Sequence, residues 1–151
     1  MFKGFIFDLD GTVYLSDQLI PGADRAIRLI RESGRKVVFL SNKPIQTRED
    51  YASKLTRLGI PTPPDDVINS TLVMVRYLKK DAPQARLFVV GETPFVGELK
   101  KAGFSITEEP REVEYVVVAF DRTFDYRKLN IAYQAIKLGA HLVATNPDRT
   151  C

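Results

Sequence analysis

The chain has 151 residues, 44% hydrophobic and 27% charged, enough apolar material for a core and no signature of disorder. That length suits one domain, or one domain with part of another. The 22 basic residues exceed the 19 acidic ones by only three, and no basic run is interleaved with aromatics, so a nucleic-acid partner is not expected, while a small anion would suit the mild positive balance.

In chain order, Met1-Phe2-Lys3-Gly4 leads straight into a strand pattern, with no apolar leader and cleavage site. Phe5-Ile6-Phe7 is a short apolar run that ends at Asp8. Pro21 to Ser33 places Ala23, Ala26, Ile27 and Ile30 at helical spacing, and Gly34 follows as a C-terminal stop. Val37-Val38-Phe39-Leu40 is a continuous apolar run, which predicts a strand buried on both faces. Thr47 to Leu58 is again helical and closes at Gly59. Strand, helix, strand, helix argues for a parallel sheet with right-handed crossovers.

Pro61-Thr62-Pro63-Pro64 marks a loop, and Ser70 to Lys80 reads as a helix capped by Ser70 or Asn69. A second series then begins. Leu87 to Val90 predicts a strand, Phe95 to Ala102 a helix, Tyr115 to Ala119 a strand, Tyr126 to Leu138 a helix and Leu142 to Ala144 a last strand. A domain change is expected between Thr71 and Arg86, dividing the chain into residues 1–75 and 76–151. The lone cysteine, Cys151, asks for no disulfide and no oxidising compartment, and no apolar run is long enough to span a bilayer. The expectation is a cytoplasmic protein with no membrane partner.

The chemistry is concentrated in Asp8-Leu9-Asp10-Gly11-Thr12-Val13. Two carboxylates lie two residues apart where a buried strand ends, the end of an open parallel sheet at which ligands bind. Crowded carboxylates repel unless a cation or hydrogen-bond donors offset their charge, and magnesium favours such oxygen ligands. Gly11 allows a sharp turn that brings backbone N–H groups towards an anion. A lone Asp-x-Asp would more often be a turn in which both aspartates cap a loop. The next strand runs into Ser41-Asn42-Lys43-Pro44, where the Ser41 hydroxyl stands at a strand tip; alone, Ser41 reads as an N-cap or turn residue, and Asn42 as a turn residue or a donor to a ligand.

The segment from Phe5 to Val13, followed one strand-helix-strand unit later by Ser41, resembles the first two motifs of the haloacid dehalogenase superfamily. Pro21-Gly22-Ala23 and Leu40-Ser41-Asn42-Lys43-Pro44 resemble the branch with a large α/β cap, the nitrophenyl-phosphatase and phosphoglycolate-phosphatase-like enzymes. Val89-Val90-Gly91-Glu92, Val117-Val118-Ala119-Phe120-Asp121-Arg122 and Ala144-Thr145-Asn146-Pro147-Asp148 are similar to its cap, in the same order. The resemblance implies an α/β fold, a Rossmann-like half-core with an inserted α/β cap.

It also implies a magnesium-dependent phosphatase acting on a small phosphorylated metabolite. Asp8 would be the nucleophile and Asp10 the general acid and base, both serving the metal. Leu9, Asp10, Gly11, Ser41 and Asn42 would hold the phosphoryl group. Asp121 and Arg122 would face the substrate or open a turn, and the same two alternatives stand for Asn146 and Asp148. Lys128 and Lys137 read as solvated surface. The superfamily's third-motif lysine and fourth-motif acidic pair have no counterpart in these residues, so the expectation is the N-terminal part of a longer enzyme, inactive alone. The alternative is a phosphate-binding fragment without activity. A homo-oligomer is also open.

Overall fold

The computed structural model describes residues 2–147, so Asp148 lies outside the described residues. The chain is α/β, and its contacts divide it into two compact units. One runs through Ser41 and takes in Gln46–Asn69; the other holds Asn42–Ile45 and everything from Ser70 onward. This division falls at the start of the helix that begins at Ser70.

The first unit contains β1 (Gly4–Asp8), the hairpin strands β2 (Tyr14–Leu15) and β3 (Gln18–Leu19), α1 (Ala23–Glu32), β4 (Lys36–Ser41), α2 (Arg48–Arg57) and β5 (Val67–Asn69). β1, β4 and β5 form a parallel sheet in that order, with Asp8 opposite Leu40 and Ser41 opposite Asn69. α2 starts with a capping box: the Thr47 hydroxyl accepts from the Asp50 N–H, and the Asp50 carboxylate accepts from the Thr47 N–H. Its inward residues, Tyr51, Ala52 and Leu55, join Ile27 of α1 over Val37, Phe39 and Val67. The opposite face of the sheet is not covered within the unit. Ile6 is 72% exposed and Leu40 44%. β4 is therefore buried on one face only, unlike the two-sided strand its apolar run predicts.

The second unit contains α3 (Ser70–Asp81), β6 (Arg86–Val90), α4 (Thr93–Lys101), β7 (Ser105–Ile106), β8 (Tyr115–Val118), α5 (Tyr126–Lys137) and β9 (His141–Ala144). Its sheet is parallel throughout, in the order β7-β6-β8-β9. Alternate residues of each strand serve opposite faces. Leu87, Val89 and Val117 pack with Met74 and Leu78 of α3 and with Phe95 and Leu99 of α4. Phe88, Val90 and Val116 pack with Ala132 and Ala135 of α5. Among the described residues no helix is long and apolar enough to cross a membrane.

Candidate active site

In the first unit the chain leaves β1 at Asp8 and turns at once. The Leu9 side chain is fully buried, while its carbonyl accepts from the N–H groups of Thr12, Val13 and Tyr14 at 3.3, 2.9 and 3.3 Å. The Gly11 N–H donates to the Tyr14 carbonyl at 2.8 Å, and Gly11 has φ +80°, a conformation that L side chains resist. Burying Leu9 between them leaves Asp8 and Asp10 both exposed.

Ser41 ends the neighbouring strand one residue beyond the partner of Asp8 and is buried. Its hydroxyl donates to the Tyr51 hydroxyl of α2 at 3.3 Å. Asp8 and Ser41 thus stand on adjacent strands at the carboxyl edge of one parallel sheet. Beside the loop, the Tyr14 phenol is held well above the usual range by burial and by the charges of Asp10, Tyr51, Asp8 and Asp17. The Lys54 ammonium lies 4.0 Å over the Tyr14 ring and 3.4 Å from the Asp17 carboxylate. Sequence reasoning did not single out Tyr14, Tyr51 or Lys54. Tyr51 falls in phase with Ala52 and Leu55 and so reads as plain core.

The donor set at the loop suits a hard cation: carboxylate and carbonyl oxygens at a solvent-facing strand tip. Among the described residues no group of three or more His, Cys, Asp or Glu side chains comes together, so Asp8 and Asp10 form a partial set.

The remaining candidates belong to the second unit. Asn42 groups there, and its carbonyl accepts from the Ser70 hydroxyl at 2.9 Å. Asn146 lies just beyond β9. Asp121 and Arg122 follow β8 and are engaged locally. The Asp121 carboxylate takes the Thr123 N–H at 2.8 Å and the Thr123 hydroxyl at 2.6 Å on one oxygen, and the Lys128 ammonium at 2.6 Å on the other. This is the turn alternative for Asp121. Its side chain is 2% exposed and that of Lys128 16%, so Lys128 is a buried ion-pair partner and not the solvated residue its helical position predicts. Burial pushes the Asp121 carboxyl up, but Lys128 and the two Thr123 donors outweigh that and hold it below the usual range.

The Arg122 guanidinium grips Glu92, after β6, through two bonds of 2.7 and 2.8 Å, and the Arg122 N–H adds a third at 3.1 Å. These bonds bring the Glu92 carboxyl down to about 2. Gly91 lies between the two strand ends, where an added Cβ would stand 2.9 Å from the Phe95 ring.

A sequence profile of haloacid dehalogenase-like hydrolases matches residues 5–105. The chain is 40% identical over 147 residues to the sugar-phosphatase AraL of Bacillus subtilis, a match covering 97% of this chain and 54% of that protein. Among solved structures, the 4-nitrophenylphosphatase from Thermotoga maritima superimposes with a TM-score of 0.92 at 32% identity, covering 99% of this chain and 56% of that one. NagD from Escherichia coli K-12 gives a TM-score of 0.87 at 31% identity over 97% and 57%. The chain spans about half the length of the curated relatives it matches.

Proposed function

Since this chain belongs to the haloacid dehalogenase-like hydrolases, we propose that it carries the nucleophile half of a cytoplasmic phosphomonoester hydrolase whose phospho-enzyme forms on Asp8. The observation behind this reading is the pairing of Asp8 with Ser41 on adjacent strand tips, above a glycine turn that leaves both loop carboxylates in solvent. A carboxylate oxygen of Asp8 attacks phosphorus while the bond to the leaving oxygen breaks, which divides one hard displacement into two easier ones. Asp10 gives its proton to the departing oxygen, then takes one from the water that releases phosphate. Ser41 and the backbone N–H groups of Leu9 and Asp10 orient the phosphoryl oxygens, while the Gly11 N–H is held by the Tyr14 carbonyl and only shapes the turn. Tyr51 restrains the Ser41 hydroxyl.

The Asp8 carboxylate and the Asp10 carbonyl are the groups that would hold magnesium. When bound, the ion supplies positive charge against the phosphoryl oxygens. Its remaining ligands, and a lysine for the phospho-aspartate, are expected from the part of the full-length protein that the relatives have in addition. The second unit serves as the cap that selects substrate. The names of the relatives make sugar phosphates and nitrophenyl phosphate the first esters to assay.

A second reading applies to residues 1–151 alone: a catalytically incompetent fragment. The two-carboxylate set among the described residues favours it. The test is to assay the full-length protein and the 151-residue chain side by side, with and without magnesium. Turnover by the former only fits both statements. An ordinary enzymatic rate from the short chain contradicts the second, and no turnover by either contradicts the first.

A further inference from the structure

α2 is fixed at its start. The capping box of Thr47 and Asp50 closes its first turn, and the Arg48 guanidinium donates to the Val67 carbonyl of β5 at 2.8 Å. Two of its side chains, Tyr51 and Lys54, stand three residues apart and so occupy neighbouring positions on the helix surface. Each reaches a different part of the candidate site.

Tyr51 reaches the strand tip. Along β4 Val37, Phe39 and Ser41 are buried while Lys36 and Leu40 are exposed, so the Ser41 side chain faces the side of the sheet that α2 covers. There it meets the Tyr51 hydroxyl at 3.3 Å. Phenylalanine would fill the same core position, so packing does not account for that hydroxyl. A serine hydroxyl has one proton to give and two lone pairs with which to accept. Once the Ser41 proton turns to a phosphoryl oxygen, the Tyr51 hydroxyl can supply the proton of the bond between them, and the Ser41 oxygen keeps its partner.

Lys54 reaches the turn. Tyr14 is tied to the turn by its backbone: its N–H donates to the Leu9 carbonyl, its carbonyl accepts from the Gly11 N–H, and it bridges to Asp10. The Lys54 side chain is only 15% exposed, and its ammonium lies 4.0 Å over the Tyr14 ring and 3.4 Å from the Asp17 carboxylate. Withdrawing an ammonium from water is costly unless it is compensated. Here both compensating groups belong to the hairpin that follows the turn. Asp8 is still within β1 and is held by the ladder to β4, whereas Asp10 lies beyond it and depends on the turn for its place.

We propose that α2 is the positioning element of this site, with Tyr51 setting the Ser41 hydroxyl and Lys54, through Tyr14, setting Asp10. The inference rests on the phosphatase reading above and adds to it two residues that never touch the substrate.

The test is steady-state kinetics of the full-length protein with magnesium, on an alkyl phosphate and on nitrophenyl phosphate, with the melting temperature of each variant recorded. Tyr51→Phe should lower kcat/KM by about tenfold on both esters, because Ser41 serves the transferred group and not the leaving oxygen. In a Ser41→Ala background the same change should cost less than about twofold, since the hydroxyl it sets is gone. Lys54→Met should lower kcat/KM by about tenfold on the alkyl ester and only about threefold on the nitrophenyl ester, the pattern of a displaced Asp10. Lys54→Arg should restore most of that loss. Arg57→Gln removes the exposed second cation 3.8 Å from Asp17 and should change neither rate. A merely lower folded fraction would slow both esters alike and would add to Ser41→Ala.

Suppose Ser41→Ala and Asp10→Asn slow the enzyme as the phosphatase reading requires, while either Tyr51→Phe or Lys54→Met keeps the wild-type rate. The inference then falls and the reading stands. It is equally overturned if Tyr51→Phe costs as much in the Ser41→Ala background as in the wild type, or if Lys54→Met slows both esters by the same factor. A wild-type rate in Ser41→Ala, or no turnover by the wild type, removes the reading itself and the inference with it.

Discussion

Replacing Lys128 with Met separates a buried ion pair from a surface lysine. In the structure the Asp121 carboxylate is almost fully shielded, and Lys128 supplies its one full positive charge at 2.6 Å. Removing one partner of a buried pair costs about 3–5 kcal/mol, because the other charge stays behind uncompensated. Here Thr123 still donates two hydrogen bonds, and the shielding comes from immediate neighbours in a loop rather than from depth in a core. The expected loss is therefore smaller, about 2–3 kcal/mol at neutral pH.

For a unit of this size that corresponds to a fall of roughly 10–20 °C in Tm, read by thermal circular dichroism. The sign of the pH dependence follows from the depressed Asp121 carboxyl. In the wild type its stabilisation is present above the ordinary carboxyl range and is lost as pH falls through the lower folded value. In Lys128→Met burial acts without its main counterweight, the carboxyl rises, and protonation relieves the strain, so the deficit narrows on acidification. The pair Lys128→Met with Asp121→Asn should recover most of the loss. A Lys128→Met chain within about 0.5 kcal/mol of wild type across this range would refute the reasoning and return Lys128 to the solvated surface.

Other outcomes can be checked alongside. Gly91→Ala brings a methyl to within 2.9 Å of the buried Phe95 ring and should cost about 1–3 kcal/mol in a urea melt, while Gly97→Ala, with open space around its Cβ position, should not destabilise. The Glu92 carboxyl should titrate near 2 by carbon NMR, its contribution to stability lasting until pH falls towards that value, and Arg122→Gln should move the midpoint up towards the ordinary range. In the full-length protein Asp10→Asn should slow alkyl phosphates far more than nitrophenyl phosphate, whose leaving group needs little protonation; equal losses would make Asp10 structural.

The fold was legible wherever an element was long enough to carry a period. The helices around Ala26, Ala52, Leu99 and Ala132 all lie where their apolar spacing puts them. β5 and β7 were missed because strands of three and two residues have no period to read, and β5 follows a proline cluster. The hairpin at Tyr14–Leu19 was missed because it turns at Ser16-Asp17, with Ser16 at φ 52°, and not at the Asn-Gly or Asp-Gly that signals such turns. At the candidate site, Asp8, Asp10 and Gly11 stand out through local spacing alone. Tyr51 beneath Ser41 and Lys128 beneath Asp121 depend on contacts between segments seven to ten residues apart, where helical position says which face a residue takes but not what it meets.

The measurement that bears most directly on the proposed function is the identity of the phosphorylated residue. The full-length protein would be quenched in acid during turnover of a labelled phosphomonoester, reduced with borohydride and digested. An acyl phosphate on Asp8 would be converted to homoserine at position 8, and the peptide spanning Phe5 to Val13 would carry the mass change. The account predicts that change at Asp8, and neither turnover nor modification in Asp8→Asn. Steady turnover with residue 8 unmodified at every quench time, or more than a tenth of the wild-type rate in a clean Asp8→Asn preparation, would contradict it.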